Sequence, residues 1–118
     1  LAQTLSTPSL NADAQAGVEQ IDLMKQNAAE AVRFLKTLGN DSRLLILCHL
    51  DGKELSVSEL NSCLDLSQSA LSQHLAVLRR DGLVTTRRES QTIYYSLRGD
   101  KAIRLIHTLR ELFCPNSH

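Results

Sequence analysis

The chain has 118 residues, 13 basic and 13 acidic side chains and therefore no net charge, 42% hydrophobic residues, two Phe, two Tyr and no Trp. That length suits one domain with a modest aliphatic core. With no apolar run long enough to cross a bilayer and no basic-then-apolar leader, the expectation is a soluble, cytoplasmic protein with no membrane partner.

Neutral charge argues against a nucleic-acid partner until its distribution is read. Residues 1–66 carry five basic and nine acidic groups, whereas residues 67–98 carry five against two. All five of those cations are arginines, the side chain suited to planar phosphate contact. The three cysteines, Cys48, Cys63 and Cys114, are an odd number, which speaks against a secreted disulfide scaffold. They leave packing residues, metal ligands or reactive thiols as the alternatives.

In chain order, residues 1–17 are polar and aperiodic and read as a flexible arm. Met24, Ala28, Ala31, Leu35 and Leu38 then form a helical stripe that Gly39 ends. Asp41 or Ser42 is the expected cap of a second helix reaching Leu50. Its run Leu44-Leu45-Ile46-Leu47-Cys48 is apolar almost all round, which predicts a central, buried element. Ser56 or Ser58 caps a short third helix with Val57, Leu60 and Leu64 inward, and Asp65-Leu66-Ser67 turns into a fourth.

The fourth helix carries Leu71, Leu75 and Leu78 at i, i+4 and i+7, one buried stripe. Gln68, Ser69, Ser72 and Gln73 point elsewhere, and all can hydrogen-bond base edges or phosphates. Arg79 and Arg80 close the helix, where cations suit its dipole, and Gly82 follows as the C′ residue. The third and fourth helices are a helix-turn-helix. After Gly82 the period becomes two: residues 83–88 and 92–97 read as strands joined by a tip at Glu89-Ser90-Gln91. A hairpin after a recognition helix is a wing. Asp100 starts a last helix with Ala102, Leu105, Ile106, Leu109, Leu112 and Phe113 on its apolar face, and Pro115 ends it before a tail at 115–118.

The fold expected is therefore mainly α with a β-hairpin wing, a winged helix-turn-helix domain over residues 18–114: four helices, a hairpin and a fifth helix. The first and last helices carry more apolar surface than one small core covers. Pairing through them across a two-fold axis makes a homodimer, which predicts a palindromic double-stranded DNA operator.

Over about residues 20–114 the chain resembles the ArsR/SmtB family of bacterial winged-helix repressors. The resemblance is carried by Ser67-Gln68-Ser69, Ser72, His74-Leu75, Leu78 and Gly82-Leu83-Val84, then by the Arg-rich strand and the Tyr95 and Leu97 of the wing. It implies that Gln68, Ser69, Ser72, Gln73 and His74 read DNA and that Arg87, Arg88 and Gln91 meet backbone or minor groove. His74 has an alternative reading as a residue hydrogen-bonded within the motif.

The resemblance also frames the inducer. Where the family's arsenic and lead sensors carry Cys-Val-Cys, this chain has Ser56-Val57-Ser58, and a hydroxyl is a poor ligand for a soft ion. Asp100, His107 and His118 do not assemble into a zinc set along the last helix. No metal and no cofactor is expected. The placement of Cys48 and Cys114 is similar to the dithiol branch of the family, the sulfide and persulfide sensors. That similarity implies Cys48 and Cys114 as a redox-sensing pair, bridged by a disulfide or inserted sulfur when reactive sulfur or an oxidant acts as inducer. His107 and Arg110 lie on the Cys114 side of the last helix and favour a thiolate, while the helix C-terminus opposes it. Cys63 has no partner and reads as a packing or surface residue. The alternatives are a metal- or metalloid-responsive repressor using Cys48, Cys114 and His107, and a thiol oxidoreductase. The chain has no Cys-x-x-Cys and no βαβ pattern to support the latter. The leading expectation is a repressor rather than an enzyme.

Overall fold

The computed structural model describes residues 2–114, and their side chains from residue 16 onward. Eight elements follow in order: α1 (Ala2–Leu38), α2 (Asp41–His49), β1 (Leu55–Ser56), α3 (Val57–Cys63), α4 (Gln68–Arg80), β2 (Val84–Glu89), β3 (Thr92–Leu97) and α5 (Lys101–Phe113). This is the mainly helical winged helix-turn-helix expected. The tail at 115–118, with Pro115 and His118, lies outside the described residues. Among the described residues no helix is long and apolar enough to cross a membrane.

The chain divides into two units, residues 1–35 and residues 36–118. In the first, α1 runs continuously from Ala2 and takes in residues 2–17 of the segment read as an arm. The apolar residues there keep no regular stripe. Val18, Ile21, Met24, Val32 and Leu35 are all exposed on it.

In the second unit the core is aliphatic: Leu38, Ile46, Leu47, Leu50, Leu60, Leu71, Leu75, Leu78, Leu83, Val84, Ala102 and Ile106 are buried. The central position of α2 is only partly as expected. Ile46 and Leu47 are buried, while Leu45 is 51% exposed. A run apolar all round exceeds what the helices around α2 can cover. The cap of α2 is Asn40, whose side-chain oxygen accepts from the Arg43 N–H at 3.0 Å, in place of Asp41 or Ser42. Arg43 in turn donates from Nε to the Thr37 carbonyl at 2.8 Å, satisfying a group that the end of α1 leaves unpaired.

Ser56 caps α3 through a reciprocal capping box with Glu59. The same residue belongs to β1, a strand the sequence reading missed because two residues are too short for a period to show. β1 pairs antiparallel with β3, Leu55 opposite Tyr95 and Ser56 opposite Tyr94, and gives a three-stranded sheet of order β1-β3-β2. β2 and β3 form the expected hairpin from Val84 opposite Leu97 to Glu89 opposite Thr92. The Arg98 N–H donates to the Leu83 carbonyl at 2.9 Å and closes its base.

Candidate nucleic-acid interface and thiol pair

Two constellations carry chemistry: the outer face of α4 with the wing, and the junction of α2 with α5. The position of α4 is fixed at both ends. Ser67 accepts from the Ala70 N–H at 3.1 Å. At the other end Gly82 takes φ 75°, its N–H donates to the Arg79 carbonyl at 3.1 Å, and the Leu83 N–H donates to the Leu78 carbonyl at 2.9 Å. Those two bonds make a Schellman motif, for which the left-handed backbone of glycine is suited. Leu71, Leu75 and Leu78 anchor the inner face. The consequence is that Gln68, Ser69, Ser72 and Gln73 all stand exposed, with Arg79 and Arg80 beyond them. His74 is partly buried.

In the wing the three expected residues differ in their surroundings. Arg88 and Gln91 are exposed, but Arg87 is held by acids. Its Nε donates to both Glu54 carboxylate oxygens at 3.1 Å, its Nη2 to Glu54 Oε1 at 2.7 Å and its Nη1 to Glu89 Oε2 at 3.3 Å. Its guanidinium also lies 4.9 Å from the Tyr94 ring centroid. Hydrogen bonding to Glu54, then to Glu89, pushes the Arg87 pKa up, and Arg87 in turn holds the Glu54 carboxyl below its usual range. The cause is β1: Glu54 immediately precedes it, and pairing of β1 with β3 carries Glu54 to the wing. Sequence reading missed Glu54 because the 33 positions separating it from Arg87 offer no local signal.

At the second constellation, Cys48 and Cys114 are free thiols. Cys48 is partly buried near the end of α2; Cys114 is exposed and caps α5, its N–H donating to the Arg110 carbonyl at 2.7 Å. α2, which carries Cys48, packs on α5, which Cys114 caps. Burial pushes the Cys48 thiol up, and the charge of Arg110 opposes that rise. Asp51 was not anticipated. Its Oδ2 accepts from Arg110 Nη1 at 2.8 Å and from His107 Nε2 at 3.0 Å. Desolvation raises the Asp51 pKa, but the hydrogen bonds from His107 and Arg110 outweigh it and hold the carboxyl below its usual value. His107 and Arg110 therefore serve the α2 end rather than Cys114 alone. Cys63 is exposed on α3. Among the described residues no group of three His, Cys, Asp or Glu side chains converges as a metal-ligand set.

Residues 40–86, the span from the α2 cap into β2, match the family described as "Bacterial regulatory protein, arsR family". The transcriptional activator HlyU of Vibrio cholerae is 56% identical over 91 residues, 77% of this chain and 84% of that protein. A solved structure of reduced HlyU from Vibrio cholerae superposes with a TM-score of 0.73 at 56% identity, covering 77% of this chain and 96% of that one. The transcriptional repressor BigR from Xylella fastidiosa gives 0.74 at 41% identity, covering 79% and 95%. These similarities are to proteins described as transcriptional regulators, and the family match runs through α3, the recognition helix and the start of β2. The chain belongs to the arsR family of bacterial regulatory proteins.

Proposed function

We propose that the chain is a homodimeric repressor released from a palindromic operator when Cys48 and Cys114 are bridged by reactive sulfur. Gln68, Ser69, Ser72, Gln73 and His74 would read bases, with Arg88 and Gln91 of the wing on the backbone. The dimer reading is supported by apolar side chains left uncovered within one chain: Val18, Ile21 and Met24 on α1, Leu112 and Phe113 on α5. Isologous pairing would cover them and place two α4 helices about one DNA turn apart. Repressor activity is supported by similarity to BigR, described as a transcriptional repressor. The description of a Vibrio HlyU structure as reduced agrees with a redox input.

The single observation that supports the input is that two free thiols lie on α2 and at the end of α5, two helices that pack on each other. In the step proposed, the Cys48 thiolate attacks the sulfane sulfur of a persulfide R–S–SH, forming Cys48–S–SH and releasing RS⁻. The Cys114 thiolate then attacks the Cys48 sulfur and expels HS⁻. Two thiols are oxidised to a disulfide, and the persulfide is reduced to a thiol and sulfide. Where both cysteines are persulfidated, condensation with loss of H₂S leaves a trisulfide, which spans a wider gap than the roughly 4.4–6.8 Å between Cα atoms that a direct disulfide accepts. The bridge ties α2 to α5 and shifts the spacing of the α4 helices. A hundredfold loss of operator affinity requires about 2.7 kcal/mol of difference between the two states.

Cys48→Ser and Cys114→Ser test this. Each variant should bind operator DNA with parent affinity and stay bound when persulfide is added. Normal release by either one would overturn the dithiol input while leaving DNA binding intact.

A further inference from the structure

We infer that Thr37 and Asp81 form a positioning pair for DNA reading: the Thr37 hydroxyl, in the last turn of α1, holds the carboxylate at the C-terminal end of α4 and so sets the angle at which α4 meets a duplex. The inference deepens the reading of α4 as the recognition helix and rests on it. Thr37 Oγ1 donates to Asp81 Oδ2 at 2.5 Å, across 44 residues of sequence. Both groups are inside: Thr37 is 4% exposed and the Asp81 side chain 6%. Both also belong to the second unit, so the bond is internal to it.

An acid is an unfavourable choice for this place. Asp81 is the C-cap of α4, where the helix dipole presents partial negative charge. Burying a carboxylate adds a further cost unless its oxygens are hydrogen-bonded. Here Oδ2 takes the Thr37 hydroxyl, and Oδ1 takes Arg80 Nε at 3.3 Å. Arg80 is part of α4 itself and its side chain is 65% exposed, so that contact does not tie the helix to another element. Thr37 does, because its own turn is anchored. Arg43 of α2 donates from Nε to the Thr37 carbonyl at 2.8 Å and from Nη2 to the Lys36 carbonyl at 3.4 Å. A hydrogen-bonded line thus runs from α2 through the last turn of α1 to the end of α4.

The base-reading candidates Gln68, Ser69, Ser72 and Gln73 occupy the opposite half of α4. The 13 residues of that helix make a lever about 20 Å long, so a small tilt at Asp81 is felt at Gln68. The stripe of Leu71, Leu75 and Leu78 holds α4 down, but apolar burial is non-directional. The bond at Asp81 is directional and resists tilt. Phosphate contacts position a protein without reading sequence, whereas base-edge contacts need donor and acceptor aligned in the groove. The pair therefore acts on discrimination between sequences more than on general affinity for DNA.

The test uses the full chain and two probes: a duplex that the parent chain selects from a randomised pool, and a scrambled duplex of the same composition. Fluorescence anisotropy gives the ratio of the two affinities, and urea unfolding gives stability. Thr37→Val keeps the shape and removes the hydroxyl. It should lower the ratio about tenfold, on the scale of one hydrogen bond to a charged acceptor, with affinity for the scrambled duplex near that of the parent. Thr37→Ser keeps the hydroxyl and should return the ratio to near the parent value. Asp81→Asn keeps an acceptor but loses the charge, and should lower the ratio about threefold. Its added positive balance acts on both duplexes alike and cancels in the ratio. A fall in the ratio for Thr37→Val with recovery in Thr37→Ser supports the inference. An unchanged ratio, or an equal loss on both duplexes, overturns it whatever happens to stability, and leaves the pair a brace for the fold alone. If Thr37→Val does not fold, Asp81→Asn decides by the same criterion. Failure of the parent chain to select any sequence would instead overturn the recognition reading of α4, and the inference with it.

Discussion

The salt dependence of DNA binding should separate Arg87 from Arg88, two adjacent arginines that sequence cannot tell apart. Each phosphate contact contributes about 0.9 to the slope of log affinity against log salt on duplex DNA. Arg88 is exposed on the wing, whereas the Arg87 guanidinium is occupied by Glu54 and Glu89 and lies against Tyr94. Losing one phosphate contact should therefore reduce the fall in affinity between about 50 and about 200 mM salt by about three- to fourfold, and losing it in both protomers by about twelvefold. Arg88→Gln is expected to show that loss. Arg87→Gln is expected to leave the slope nearly unchanged, and Glu54→Gln to steepen it by freeing Arg87. Fluorescence anisotropy with a labelled duplex and a salt titration measures this. A duplex of arbitrary sequence suffices, because phosphate contacts are read without sequence. An equal drop in slope for Arg87→Gln and Arg88→Gln would refute the reasoning and place Arg87 on DNA despite its acidic partners.

Leu78→Ala removes a fully buried side chain from the inner face of α4 and should cost about 3 kcal/mol, on the order of 15 °C in Tm by calorimetry. Ser56→Ala deletes the acceptor of the α3 capping box and should cost about 1 kcal/mol in urea unfolding, with no change in thiol reactivity. Asp51 has a depressed carboxyl pKa in the folded state, so its contribution is complete above about pH 5 and is lost as pH falls below about 4. The stability difference between the parent chain and Asp51→Asn, followed by urea midpoints, should then shrink toward zero in acid; a gap that widens would contradict the pairing.

Much of the fold was legible because local periodicity and caps agree with it. The Leu71/Leu75/Leu78 stripe, Ser67 before it and Gly82 after it define α4 whatever it packs against. The alternation on either side of Ser90-Gln91 likewise defines the hairpin. The errors fall where tertiary context outweighs pattern. Asn40 took the α2 cap from two equally suitable neighbours, Leu45 stayed exposed in an apolar run, and β1 exists only because β3 lies beside it.

The candidate site divides in the same way. Sequence by itself determined which polar side chains α4 turns outward, because helical geometry fixes that face once the leucines are inside. It supplied Cys48 and Cys114 as candidates but no reason for them to meet beyond a family likeness. Only the tertiary structure decided that α2 packs on α5, that Asp51 gathers His107 and Arg110 beside Cys48, and that Glu54 reaches Arg87. Those are hydrogen-bonded side-chain pairings across 33, 56 and 59 residues. Electrostatic contact depends on distance in space, and nothing in the local sequence around either partner records it.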